Sequence, residues 1–420
     1  MIEMKYKTFT TSAELRAAIV FSFFFSSVSG AQSLTSSFQK ALDYVKSIES
    51  QTLVDQAKIC EIPAPPFKEE KRAAYLKQRF TELGLKNVRI DRVGNVIGER
   101  PGSNAKPTLI LAAHLDTVFP EGTDVTVTRT DSSLKAPGIS DDSRGLAVIL
   151  AVAHTLNEVN IRTQGTIIFV ADVGEEGLGD LRGTRHLFSE ELKDRITHFI
   201  TVDGTGLKST SKAVGSNRYK VTFKGPGGHS YGAFGLTNPI HALGRAIEKI
   251  SRFEVPANPK TTFNVGRIEG GTSINSIAHT AWFEMDMRSE STEELAKIDA
   301  EFKNAVQQAL EEENSLWQSR RKLTVDVKLI GQRAAGDLGT NNPMLKAVML
   351  TDSALGIKSE FRAGSTDANV PIGLGIPAIG LEGGGRSEGA HALDEIFYTK
   401  DSYLGTQKVL LVTLAVVGVR

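Results

Sequence analysis

Two kinds of apolar spacing alternate along this chain. Thr108-Leu109-Ile110-Leu111-Ala112-Ala113 and Thr166-Ile167-Ile168-Phe169-Val170-Ala171 are unbroken apolar runs, the pattern of strands buried on both faces of a mostly parallel sheet. Between them, Gly145 to Leu156 repeats its apolar positions at helical spacing, which gives strand, helix, strand. His198 to Val202 reads as a further strand, and Leu34 to Leu53 and Lys68 to Leu85 read as helices. Asn87 to Gly98 reads as a strand turned at Gly94-Asn95.

From about Gly215 the rhythm changes. Strands are expected at Tyr219 to Phe223, Thr261 to Ile268, Thr280 to Met287 and Leu323 to Leu329, with helices at Pro239 to Ile250 and Glu293 to Glu312. That order, βαββαβ, is the ferredoxin-like arrangement. Met344 to Leu355 and Ile376 to Leu381 then resume helix and strand alternation. The expected fold class is therefore α/β, an open mostly parallel sheet interrupted by an inserted ferredoxin-like lid. The expected segments are a leader at 1–31, a first part of the sheet domain at 32–214, the lid at 215–329, and the second part at 330–420.

Composition narrows the class. The 420 residues are 40% hydrophobic and 23% charged, enough for two compact cores, and the 49 basic and 49 acidic residues cancel. No basic footprint for nucleic acid exists. Lys5, Lys7 and Arg16 precede an apolar, Phe-rich run from Ala17 to Phe25, followed by small residues ending in Ser29-Gly30-Ala31. This is the layout of a cleavable secretory signal, too short to span a bilayer comfortably, so a periplasmic or secreted protein beginning near Gln32 is expected. An uncleaved anchor is the competing reading. Cys60 is the only cysteine, so no intrachain disulfide exists.

Candidate chemistry collects at strand ends. His114-Leu115-Asp116 follows one apolar run, Gly174-Glu175-Glu176-Gly177 the other, and Asp203 the strand ending at Val202; Asp141-Asp142 and His391 complete the set. Open α/β sheets place active sites just beyond the carboxyl ends of strands. Two imidazoles with several carboxylates favour a pair of divalent ions, and paired cations need a shared carboxylate. A workable assignment gives one ion His114 and Asp203 and the other Glu176 and His391, with Asp141 bridging. Zinc suits this donor set best, and cobalt or manganese would also fit. Glu175 would be the general base, and Asp116 would accept the second ring N–H of His114. Each motif alone is commonly a turn or a solvated surface; the five together, in this order, are not. Asp142 is open between a role beside the bridge and a turn residue, and Asp172 between a role and a strand terminus. His154, His186, His198, His241 and His279 match no ligand position.

These residues resemble the M20 metallopeptidases, through His114-Leu115-Asp116-Thr117-Val118, Asp141-Asp142-Ser143-Arg144-Gly145, Glu175-Glu176-Gly177, Asp203 and His391. Gly228-His229-Ser230, Asn275, Arg288 and Gly364-Ser365-Thr366-Asp367-Ala368-Asn369 are outer features of the same likeness. The resemblance covers nearly all of the chain after the leader. It implies a two-metal hydrolase whose inserted domain also dimerises, a cis peptide at Asp141-Asp142, and substrate-binding roles for His229, Asn275 and Arg288. In dimeric members the lid histidine, here His229, reaches the partner subunit's site to stabilise the oxyanion. Where a Lys is commoner before the Gly, this chain has Ser143-Arg144-Gly145. Asp203, where deacylases and glutamate carboxypeptidase tend to have Glu, tilts the implied activity towards an aminopeptidase or dipeptidase for short peptides. The alternatives are an N-acyl-amino-acid deacylase or carboxypeptidase on the same site and, more remotely, a non-catalytic binding protein.

Overall fold

The computed structural model of the protein describes residues 28–317, 321–340 and 342–420, so the expected leader lies outside the described residues up to residue 27. Two compact units emerge, one running to Ser211 and resuming over Leu338–Arg362 and Thr366–Arg420, the other formed by Lys212–Asp337 with Ala363–Ser365.

The first unit is built on six neighbouring strands of a nine-stranded mixed sheet, in the order Lys86–Ile90, Val96–Arg100, Thr166–Asp172, Thr108–His114, His198–Val202 and Ala378–Leu381. The last four of these run parallel, while the first two are antiparallel to their neighbours. Every residue of Thr108–His114 is buried, as its unbroken apolar run requires. Alternate side chains Leu109, Leu111 and Ala113 join one core with Leu146, Ile149 and Val152 of the helix Ser143–Glu158 and Val409 and Val412 of the helix Tyr403–Val417. Register sets the strand ends level, His114 opposite Asp172 and Val202 opposite Leu381, so the segments that follow emerge along one edge of the sheet.

Local chemistry fixes the boundaries. The first hairpin is closed by Asp91, whose Oδ1 accepts the N–H groups of Val93, Gly94 and Asn95. The single helix expected from Leu34 to Leu53 is instead two, Val28–Ser47 and Glu49–Cys60, because the chain leaves helical geometry at Ile48 (φ −93°, ψ 3°). Glu49 opens the second helix and is paired with the buried Arg144 guanidinium at 3.0 Å, which fixes the break.

A small antiparallel sheet, absent from the sequence reading, is ordered Arg386–Glu388, Ile396–Tyr398, Ser133–Lys135 and Thr128–Arg129. It joins the far end of the chain to the segment just before Asp141, and the N–H of Ala136 donates to the carbonyl of Glu395 at 3.1 Å.

The second unit is a four-stranded antiparallel sheet ordered Thr261–Gly270, Thr280–Ser289, Gly215–Lys224 and Thr324–Arg333. With the helices Pro239–Ile250 and Thr292–Leu316 between strands, this is the ferredoxin-like order. Asn238 and Ser291 cap the two helices through the N–H groups of Ile240 and Glu294. Val221, Phe223 and Phe283 from the sheet and Ala246, Ile298 and Phe302 from the helices form its own core.

Candidate metal centre

The first unit brings five of the expected ligands to one place. His114 Nε2 lies 3.0 Å from Asp141 Oδ1, and His391 Nε2 lies 3.0 Å from Asp141 Oδ2 and 3.1 Å from Glu176 Oε1. Each oxygen of one carboxylate thus faces a different imidazole. Donor atoms of His114, Asp141 and Asp203 all lie within 4.8 Å of one another, as do those of Asp141, Glu176 and His391. The two triads share only Asp141. A third grouping joins His114 with Glu175 and Glu176. Two imidazoles and three carboxylates, one of them common to both triads, fit a pair of divalent ions.

The backbone explains why these residues converge. The N–H of His114 donates to Asp142 Oδ2 at 3.1 Å, and Asp142 Oδ1 accepts from Gly145 N at 3.0 Å as the N-cap of Ser143–Glu158. Asp142 is therefore a structural clamp between strand and helix. A Cβ at Gly145 would lie 2.3 Å from both Asp142 Oδ1 and the Val202 carbonyl, so only glycine lets the helix start this close to the sheet. The expected cis peptide is present at Asp141-Asp142. Beyond the neighbouring strand, Gly174 turns with φ +74°, where a Cβ would lie 2.1 Å from Arg182 Nη1. Asp203 is tied at its N–H to the Leu381 carbonyl at 2.9 Å.

Asp116 acts differently from the sequence expectation. The ring Nδ1 of His114 faces the main-chain carbonyl of Asp116 at 3.0 Å, while its carboxylate oxygen is 3.7 Å away. The carboxylate instead accepts the N–H groups of Gly174 (2.9 Å), Glu175 (3.1 Å) and Glu176 (2.9 Å). Residue 116 thus orients the histidine through its backbone and shapes the Glu175-Glu176 turn through its side chain. Three donors converge on a fully buried acid, which no pattern of residue types reveals.

The electrostatics are those of a cation site. Burial opposes charge on His114, yet Asp116, Asp141 and Asp142 hold its imidazole well above the usual histidine range. His391 is raised to about 10 by its hydrogen bonds to Asp141 and Glu176. Burial alone would raise the Asp141 carboxyl, but the two histidines hold it well below the carboxylate range. Asp203 is pushed up to about 7 by burial and by repulsion from Asp141. Protons on the imidazoles supply the positive charge that this cluster of acids demands.

Several supporting residues stand around this cluster, of which Arg72 and Glu395 were missed by the sequence reading. Arg72, fully buried, donates to the Leu115 carbonyl at 2.7 Å and to the Ile62 carbonyl at 2.9 Å, bracing the segment after His114. Asp172 and Asp367 are buried together around the Thr184 hydroxyl, at 2.9 and 2.5 Å. Glu395 receives the N–H groups of Gly138 and Ser140. Only the spacing of four residues after His391 hints at it.

The three lid candidates lie in the second unit. A two-residue antiparallel ladder pairs Gly228–His229 with Ser276–Ile277, and the N–H of Ser230 donates to the Asn275 carbonyl at 2.9 Å, so His229 and Asn275 lie at one small ladder. His229 is exposed, and its Nδ1 accepts the N–H groups of Tyr231 and Gly232, both at 3.2 Å. That leaves the proton on Nε2. Arg288 is not part of this cluster. It stands near the far end of Thr280–Ser289, paired with Asp286 at 2.8 Å.

Comparison with known proteins agrees with this arrangement. The family model for a peptidase dimerisation domain of the M20 type matches residues 212–314, and the model for peptidase family M28 matches residues 95–238, the run holding His114 to Asp203. Carboxypeptidase G2 of Pseudomonas sp. (strain RS-16) is 28% identical over 80% of this chain and 82% of its own length. The structure of aminopeptidase PepT from Bacillus cereus ATCC 10987 matches with a TM-score of 0.71 at 22% identity, covering 88% of this chain and 99% of that one. The Bacillus subtilis YXEP protein, described as a dinuclear metal-binding peptidase from the M20 family, matches with a TM-score of 0.66 at 17% identity, covering 88% and 99%.

Proposed function

Because this chain belongs to the M20 family and is a metal-dependent hydrolase, we propose that it is an exported aminopeptidase or dipeptidase of short peptides. The observation that carries the site reading is Asp141, whose two oxygens face two different histidines at 3.0 Å. In this reading His114 and Asp203 hold one ion, Glu176 and His391 the other, and Asp141 both. Zinc is the ion proposed, on the mixture of imidazole and carboxylate donors. Bound there, a pair of divalent ions supplies Lewis acidity and lowers the pKa of water to the neutral range.

The protein's own residues do the rest. Glu175, held by Asp116 at the turn after its strand, takes a proton from the attacking water as its oxygen adds to the peptide carbonyl carbon. When the carbon–nitrogen bond breaks, Glu175 returns that proton to the leaving amine, so the carboxylate is regenerated. His229, with its proton on Nε2, donates to the oxyanion. Asn275 beside it and Arg288 serve the substrate's backbone or carboxylate. The proposed assembly is a homodimer, supported by the dimerisation-domain match.

Asp203 in place of the longer Glu favours the free-peptide reading. A second reading, carboxypeptidase or N-acyl-amino-acid deacylase, is favoured by the similarity to carboxypeptidase G2. Hydrolysis of free dipeptides and tripeptides, beside N-acetylated and N-succinylated amino acids, with and without added zinc, separates the two. Metal-dependent cleavage of the free peptides is expected, and cleavage of blocked substrates alone would refute it. Export rests on Lys5, Lys7, Arg16 and the apolar run that follows. Among the described residues no helix is long and apolar enough to cross a membrane. Amino-terminal sequencing of the protein from fractionated cells tests export, with a start near Gln32 expected.

A further inference from the structure

We propose that Glu395 is the positioning residue for the shared carboxylate, fixing the Gly138 to Asp141 loop so that Asp141 faces both histidines. The inference rests on the reading of Asp141 as the common ligand. Glu395 is fully buried, and its Oε1 accepts the N–H groups of Ser140 (2.9 Å) and Asp141 (3.3 Å) together with the Ser140 hydroxyl. Its Oε2 accepts the N–H of Gly138 at 3.0 Å. Four donors from one loop therefore converge on a single carboxylate. A buried carboxylate is costly unless its hydrogen bonds are satisfied, and these four donors all come from the segment that ends in Asp141.

The other restraints on that loop leave the direction of Asp141 undetermined. Ser143 Oγ donates to the Gly138 carbonyl at 2.6 Å, which holds the loop's beginning, and Asp142 is occupied with the helix cap and with the N–H of His114. Asp141 itself is held at its N–H by Glu395 and at its carboxylate by the two histidines. Glu395 also stands four residues after His391, and its carbonyl accepts from Ala136 N at 3.1 Å where the small sheet begins. One residue thus ties the loop carrying His391 to the loop carrying Asp141. The geometry of the shared ligand and of one terminal ligand is set in a single place.

The test is calorimetric titration of the full-length, chelator-stripped protein with zinc, on wild type, Glu395→Gln, Ser140→Ala and, as a control, Glu99→Gln. Glutamine places an NH2 where an oxygen now accepts, setting donor against donor, so zinc affinity should fall by about 10- to 100-fold, the usual effect of losing a residue that orients a ligand. Glu99 is also buried, paired with Arg195 at 2.8 Å away from the metal cluster, so Glu99→Gln should lower the melting temperature and leave zinc affinity unchanged. A Glu395→Gln protein that is folded by circular dichroism and binds zinc as wild type does would overturn the proposal. If Glu395→Gln does not fold, Ser140→Ala decides: it removes one donor and should weaken zinc binding several-fold, and no loss overturns the proposal. A wild-type protein that binds no zinc would instead overturn the metal reading beneath it.

Discussion

Zinc binding should displace protons from this site in numbers set by its own electrostatics. In the metal-free protein His391, at about 10, carries a proton at pH 8, and His114 is held well above the histidine range by the acids around it. Asp203, at about 7, is mostly ionised at pH 8 and mostly protonated at pH 6. Asp141 is ionised at both. Ligands must be deprotonated to bind, so loading the pair should release at least about one proton at pH 8, from His391, and about three at pH 6, where Asp203 and His114 are protonated as well. The apparent binding constant should accordingly rise by at least roughly tenfold per pH unit near pH 8. Calorimetry in buffers of different protonation enthalpy measures the release directly. A release below one proton at pH 8, or an affinity independent of pH, would show that the histidines do not share Asp141 in solution and would refute the reasoning.

Three further outcomes are expected. Glu175→Ala should lower turnover by about 10²- to 10⁴-fold with the metal content of the purified protein unchanged, as atomic absorption would show; near-normal turnover sinks the general-base role. His229→Ala should lose activity, and mixing it with Glu175→Ala after subunit exchange should restore part of it if the histidine acts across a dimer; no recovery after exchange argues for action within one chain. His391 and Asp203 have raised pKa values in the folded state, so their contribution is full below their unfolded values and is lost as pH rises through about 7 for Asp203 and about 10 for His391. The chelated protein should therefore melt at progressively lower temperature between pH 6.5 and 10, while the zinc-loaded protein shows a weaker trend.

Much of the fold was legible because strand and helix periods differ so plainly. Thr108–His114 is apolar throughout and buried throughout, and Pro239–Ile250 begins and ends where Asn238 and the apolar spacing place it. His114, Glu175-Glu176 and Asp203 were legible as candidates for a related reason, since each ends or closely follows an apolar run; Asp141 and His391 do not. What the pattern could not convey was pairing between distant segments. The break at Ile48 depends on Glu49 meeting Arg144, and the small sheet depends on Ile396–Tyr398 finding Ser133–Lys135. Asp116 accepts from donors other than the expected one, because its partners are main-chain N–H groups that every residue carries. Glu395 went unseen for the same reason.

The small sheet makes this protein's chemistry a late event in its own synthesis. His114 and Asp141 are separated by 27 positions, whereas His391 and Asp141 are separated by 250, with the whole second unit in between. Closing the longer loop carries about 2 kcal/mol more chain entropy than closing the shorter one, and it cannot happen until strand Ile396–Tyr398 has left the ribosome. A nascent chain that has not reached His391 therefore holds four of the five candidate ligands. The candidate centre is completed only once Ile396–Tyr398 has paired with Ser133–Lys135.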